Sequence, residues 1–69
     1  MKLSARNQIK GTITAITDGA VNAIVSIDIG GGNVMSATIS MTSVKELGLA
    51  VGKEVYAIVK ATNVMVGVD

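Results

Sequence analysis

The sequence predicts an all-β fold, a small five-stranded OB-like Greek-key barrel with one short helix between strands 3 and 4. Three observations carry this. Apolar residues recur with period two in five separate stretches, as half-buried strands require. Glycine-rich turn signals separate the first three stretches, and a single S-x-x-E motif, Ser43-Val44-Lys45-Glu46, breaks the alternation after the third. A small sandwich or an SH3-like barrel shares the strand count, so the position of the helix discriminates.

Taken in order, Ile9, Gly11, Ile13 and Ala15 share one face of the first strand, opposite Lys10, Thr12 and Thr14, and Thr17-Asp18-Gly19-Ala20 supplies the turn. The second strand sets Val21, Ala23, Val25, Ile27 and Ile29 against Asn22, Ile24, Ser26 and Asp28. Gly30-Gly31-Gly32-Asn33 follows; it lies between strands and opens no helix, so it is a hairpin connection rather than a phosphate loop. The third strand sets Met35, Ala37, Ile39 and Met41 against Val34, Ser36, Thr38 and Ser40. In the capping box the Ser43 hydroxyl takes an amide of the first turn and Glu46 reaches back to the Ser43 amide; Leu47 packs inward and Gly48 stops the helix. Glu54 to Lys60 form the fourth strand and Val64 to Val68 the fifth.

No linker or repeat divides the chain, so residues 1–69 form one domain. At 69 residues it is small, and a domain of about sixty residues buries only about 60% of its unfolded surface. The usual supplements are missing: there is no Cys or His, and Tyr56 is the single aromatic residue. Disulfides, soft-metal sites and aromatic bulk are therefore excluded, which leaves oligomerisation as the stabiliser. The fourth strand agrees, because Val55, Ala57 and Val59 make one face apolar while Tyr56 and Ile58 make the other apolar too. Strands apolar on both faces are covered on both. A mean hydropathy of +0.58 also raises a membrane span, but no apolar run approaches the roughly 20 residues it needs. The first residues lack the apolar core of a secretory signal, so a soluble cytoplasmic protein is expected.

Chemistry is limited. Without His or Cys, catalysis would need Ser with Lys or paired carboxylates, and Asp18, Asp28, Glu46, Glu54 and Asp69 form no such pair in the strand pattern. No enzyme is expected. Single-stranded nucleic acid calls for a cationic groove with stacking aromatics; one aromatic and a net charge of +1 supply neither. What remains is a set of donors suited to an anion. Ser4 and Arg6 point the same way in an extended segment, Ser40 ends the third strand, Ser43 begins the helix and Lys60 ends the fourth strand. Each also has an ordinary alternative: Ser43 as a cap alone, Lys60 as a solvated strand end, Arg6 paired with an acid.

Five stretches resemble the molybdenum-pterin-binding-protein family, whose stand-alone Mop-domain members are the molbindins. They are Ser4 to Gly11 (S-A-R-N-Q-I-K-G), Ala37 to Val44, Glu46 to Leu49, Gly52 to Val55 and Val59 to Thr62, and the likeness spans essentially the whole chain. The resemblance implies a cytoplasmic OB-like barrel assembled as a hexamer, a trimer of dimers, that stores molybdate or tungstate as intact oxyanions between subunits. Carried over residue by residue, it implies a ligand set of Ser4, Arg6, Ser40, Ser43, Lys60 and the Ala61 backbone, with no direct metal ligand. Several relatives have Thr at position 40 and Ser at position 61, so Ala61 here removes one hydroxyl donor. Molybdate is a dianion that only accepts hydrogen bonds, which suits a site made of donors alone. Micromolar affinity needs about 8 kcal/mol and a charge-assisted hydrogen bond supplies about 1.5–3 kcal/mol, so about three to five contacts are required. An alternative of a different class is a regulatory or structural module that recruits a protein partner through its apolar faces.

Overall fold

The computed structural model describes all residues, 1–69. Four strands, β1 (Asn7–Asp18), β2 (Asn22–Gly30), β3 (Asn33–Ser40) and β4 (Glu54–Val59), form one antiparallel sheet in the order β3-β2-β1-β4, curled into a half-barrel. A single short helix, α1 (Met41–Glu46), joins β3 to the segment before β4. It lies between the third and fourth strands, in the order the sequence predicts. No helix is long and apolar enough to cross a membrane.

The concave face carries the core. Ile13, Val25, Ile27 and Ala57 form its buried cluster, with Met35, Ala37, Ile39, Leu49 and Val55 packed against it. Only six of 69 residues are buried, so little apolar surface leaves water within one chain.

The hairpins follow the turn chemistry. Gly31 and Gly32 have φ of 63° and 79°, the left-handed pair that a two-residue type I′ loop needs. Asp28 Oδ1 accepts from the Gly30 amide at 2.9 Å and Asn33 Nδ2 donates to the Gly30 carbonyl at 3.3 Å, closing the turn.

β1 departs from simple alternation. Its pairing with β2 shifts between Ile13 and Ala15, so Ile13 opposes Ile27 while Ala15 opposes Ser26 and Ile16 opposes Val25. One extra residue reverses which side chains face inward. Ala15 is consequently exposed and Ile16 packs on the core, contrary to strict period two. The bulge also lets one long strand serve two partners, β4 along Asn7 to Thr12 and β2 along Thr12 to Asp18.

Gly11 leaves no room for a side chain against β2. A Cβ there would sit 2.5 Å from the Asp28 carbonyl oxygen and 2.6 Å from Ile27 Cγ2. Gly11→Ala must push a backbone carbonyl, and overpacking of this kind costs about 1–3 kcal/mol. The expected result is a lower urea midpoint for unfolding with an unchanged m-value.

Three expectations are corrected. Val64 to Val68 form no fifth strand: after β4 the chain makes a 3₁₀ turn over Ala61–Asn63 and runs on with Met65, Val66 and Val68 more than 90% exposed. Alternation marks a segment able to pair, but pairing needs a sheet edge, and this chain offers the segment none that it uses. The helix cap is Ser40 rather than Ser43, because α1 starts three residues earlier and the Ser40 hydroxyl accepts from the Ser43 amide at 3.0 Å. Leu47 is exposed, and Val44 and Leu49 face inward in its place. Gly48 does stop the helix, with φ of 62°, Gly48 N–H donating to Lys45 and Leu49 N–H to Val44, the two bonds of a Schellman motif.

Candidate functional site

The six residues of the expected ligand set fall into two groups. β1 and β4 pair from Asn7 opposite Val59 to Thr12 opposite Glu54. Arg6 and Lys60 therefore flank the last rung of that ladder, and Ser4 and Ala61 lie just beyond it. The segment before β1 is braced by its own neighbours: Asn7 Nδ2 donates to the Val59 carbonyl at 3.2 Å and Gln8 Nε2 to the Ala5 carbonyl at 3.3 Å. Sequence reasoning assigned no role to Asn7 or Gln8, although both stand in the quoted S-A-R-N-Q stretch.

Both cations of this group are unpaired. Of the six basic side chains in the chain, Lys10 alone makes a salt bridge, 3.1 Å to Glu54. The hydrogen bond that Lys10 donates to Glu54, then the charge of Glu54, raises the Lys10 pKa above the usual lysine value. A raised value stabilises the fold below that range and the contribution fades as pH rises through it; with both groups exposed, screening keeps it small. Arg6 and Lys60 have no acidic partner, which removes the ion-pair alternative for Arg6. The Ala61 amide, at the start of the 3₁₀ turn, donates to no turn or loop carbonyl.

The second group sits where β3 passes into α1. Ser40 and Ser43 are half-buried, and their hydroxyl oxygens lie 2.9 Å apart. Ser40 Oγ accepts from the Ser43 amide and donates to Ser43 Oγ, which leaves the Ser43 hydroxyl proton uncommitted. Capping thus uses Ser40 and keeps one O–H donor available beside it.

Register separates the two groups. Ser40 opposes Asn22, and Asp18 opposes Ala23, so the serine pair stands at the far end of β1 and on the opposite edge strand from Lys60. No hydrogen bond or ion pair joins the groups, and none of the six residues lines either hollow in the surface. One hollow is polar and open beside Lys10, Asp28 and Glu54. The other, about 640 Å³, is the apolar concave face itself, between Ile13, Val25, Ile39, Leu49 and Val59. The single chain presents two donor clusters and one uncovered apolar trough.

Comparison with known proteins agrees with this architecture. Residues 3–66 match the TOBE domain. A probable molybdenum-pterin-binding protein of Haemophilus influenzae is 68% identical over 69 residues, all of both chains. Among solved structures, MopII from Clostridium pasteurianum superposes with a TM-score of 0.90 at 45% identity, covering 97% of this chain and 100% of that one. ModG, described as a cytoplasmic molybdate-binding protein and solved with molybdate bound, superposes with a TM-score of 0.83 at 54% identity, over 88% of this chain and 43% of that one. By sequence along its whole length and by fold, the chain belongs to the molybdenum-pterin-binding-protein family and carries its TOBE domain.

Proposed function

We propose that the whole chain, residues 1–69, is one Mop domain of the cytoplasm that reversibly binds and stores molybdate, and tungstate, at the interfaces of a homo-oligomer, and that it is a binding protein rather than an enzyme. The observation that carries this is the pair of donor clusters: two unpaired cations on adjacent strand ends and a half-buried hydroxyl pair, with no carboxylate bonded to either. A dianion that only accepts hydrogen bonds is matched by such a set, and a carboxylate would repel it. The molybdate bound in ModG and the names of the other relatives support the choice of anion.

The same geometry supports a site shared between subunits. Ser4, Arg6, Lys60 and the Ala61 amide of one subunit meet Ser40 and Ser43 of another, because register holds these clusters apart within one chain. A chain with a net charge of +1 cannot hold a dianion by global attraction; convergent donors in a water-poor interface can. The trough and the exposed Val64 to Val68 segment supply that interface. The segment becomes the fifth strand of a closed barrel when it pairs in the assembly, a hexamer built as a trimer of dimers. The outward-facing Tyr56 and Ile58 of β4, each nearly half exposed, are covered in the same assembly. Equilibrium dialysis of the purified protein with metal analysis tests the function directly: molybdate is retained, and retention of none refutes it.

Position 61 gives a graded check. Ala61→Ser adds one hydroxyl donor beside Lys60, and a hydrogen bond to a charged partner is worth about 1.5 kcal/mol or more, so molybdate binds about tenfold more tightly in dialysis. An unchanged affinity would place the Ala61 side chain away from the anion.

The uncovered trough supports a second reading, a regulatory or structural module that recruits a different protein. Light scattering separates the two, since that reading predicts a monomer that retains no molybdate.

A further inference from the structure

α1 has six residues, well short of the roughly 12–15 that an isolated helix needs, and Val44 is its only buried side chain. Its position therefore depends on how its ends are held. At the start, the Met41 amide donates to the Val21 carbonyl at 2.8 Å and Ser40 caps Ser43. At the end, the Schellman bonds take up the carbonyls of Lys45 and Val44, and those of Leu47 and Gly48 are claimed by one side chain: Lys53 Nζ donates to Leu47 O at 2.8 Å and to Gly48 O at 3.1 Å.

Lys53 is itself anchored to the core. Its carbonyl accepts from the Ile13 amide at 3.0 Å, the neighbouring Gly52 amide donates to the Ile13 carbonyl at 2.8 Å, and Ile13 is 1% exposed. The Leu47 peptide then completes a short chain of contacts. Its carbonyl is held by Lys53, and its amide donates to the Ser43 carbonyl at 2.9 Å. A fixed point on β1 is thereby tied through Lys53 and Leu47 to the residue whose hydroxyl proton is uncommitted.

We propose that Lys53, which is outside the ligand set, is a positioning residue for oxyanion binding: it holds the last turn of α1 so that the Ser43 hydroxyl is presented in one orientation. This rests on the molybdate site proposed above. Without the clamp the last turn frays, the bond from Leu47 to Ser43 opens, and Ser43 must be ordered anew at each binding event.

The test uses the full-length protein, with molybdate as the probe, in equilibrium dialysis at fixed ionic strength. Lys53→Met weakens binding about five- to tenfold, somewhat less than outright loss of a hydrogen bond to a charged ligand, because the Ser43 hydroxyl is disordered and not removed. Lys53→Arg, which can donate to the same carbonyls, restores it to within about twofold of the parent. Lys45→Met removes a cation from the same helix, one that makes no side-chain hydrogen bond, and leaves affinity unchanged, which excludes a bare charge effect. The cycle with Ser43→Ala decides the route: Ser43→Ala with Lys53→Met binds no more weakly than Ser43→Ala alone. Parent-like affinity of Lys53→Met, or additive losses in the cycle, overturns the proposal while leaving the molybdate site standing. If the parent protein binds no molybdate, the site itself falls. Amide exchange at Leu47 and Leu49 then reports separately whether Lys53 holds α1: faster exchange in Lys53→Met supports the clamp, and unchanged exchange overturns it.

Discussion

Replacing Arg6 and Lys60 together by alanine lowers molybdate affinity by at least about a hundredfold, since each removes a charge-assisted hydrogen bond worth about 1.5–3 kcal/mol. The effect is confined to binding. Both side chains are exposed and neither makes a salt bridge, so the variant unfolds at the same urea concentration as the parent. Ser40→Ala affects capping and ligation together. It removes the cap on the Ser43 amide as well as a hydroxyl, and loss of such a cap costs about 0.5–2 kcal/mol of stability. Loss of affinity without loss of stability is therefore the mark of the cationic group, and loss of both is the mark of the serine pair. Isothermal titration with denaturant unfolding of the same samples reads the two apart, and a parent-like affinity of the double variant would remove Arg6 and Lys60 from the site.

A chain ended after Asn63 is expected to be monomeric at micromolar concentration, whereas the proposed function expects the parent to be a hexamer. The segment it loses carries Val64, Met65, Val66 and Val68, exposed by 52% to 94% in the single chain. Burying such side chains is worth about 1.5–3 kcal/mol each before the cost of association, enough to decide whether subunits stay together. Val66→Asp produces the same dissociation with the chain length kept, because it places a charge where the segment must enter an apolar trough. Light scattering after size exclusion measures both variants. An unchanged mass in either would show that the trough is covered by something else.

The parts of the fold legible in the sequence are those fixed by local pattern. Val25 and Ile27 alternate with polar residues and are core; Gly31 and Gly32 read as a turn because only glycine adopts left-handed φ at two successive positions without strain. Gly48 reads as a helix stop for the same reason. What failed depended on pairing. The bulge that turns Ala15 out and Ile16 in arises where β1 changes partner, and no residue at that point announces it. Val64 to Val68 alternate correctly but pair with neither edge of their own sheet. Ser40 and Ser43 are both acceptable caps, and only the true length of β3 chooses between them.

The candidate site shows the same division. Every donor proposed for it comes from residue type and resemblance, yet no local pattern signals that the register parts them into two clusters. Lys53 was invisible as a clamp because its contacts exist only once the loop from Leu47 to Lys53 has closed onto Ile13. Asn7 and Gln8 were passed over for a related reason. Their amides act on carbonyls, which every residue has, and so leave no signature in composition.

That molybdate is held by residues of two different chains is tested most directly by complementation. Arg6→Ala with Lys60→Ala inactivates one cluster, and Ser40→Ala with Ser43→Ala inactivates the other, so neither variant alone retains molybdate in dialysis. Unfolding the two together and refolding them as mixed assemblies, verified by native mass spectrometry, restores binding at the sites where each variant supplies its intact cluster. Mixed assemblies that form but retain no molybdate would contradict a shared site and return all the ligands to a single chain.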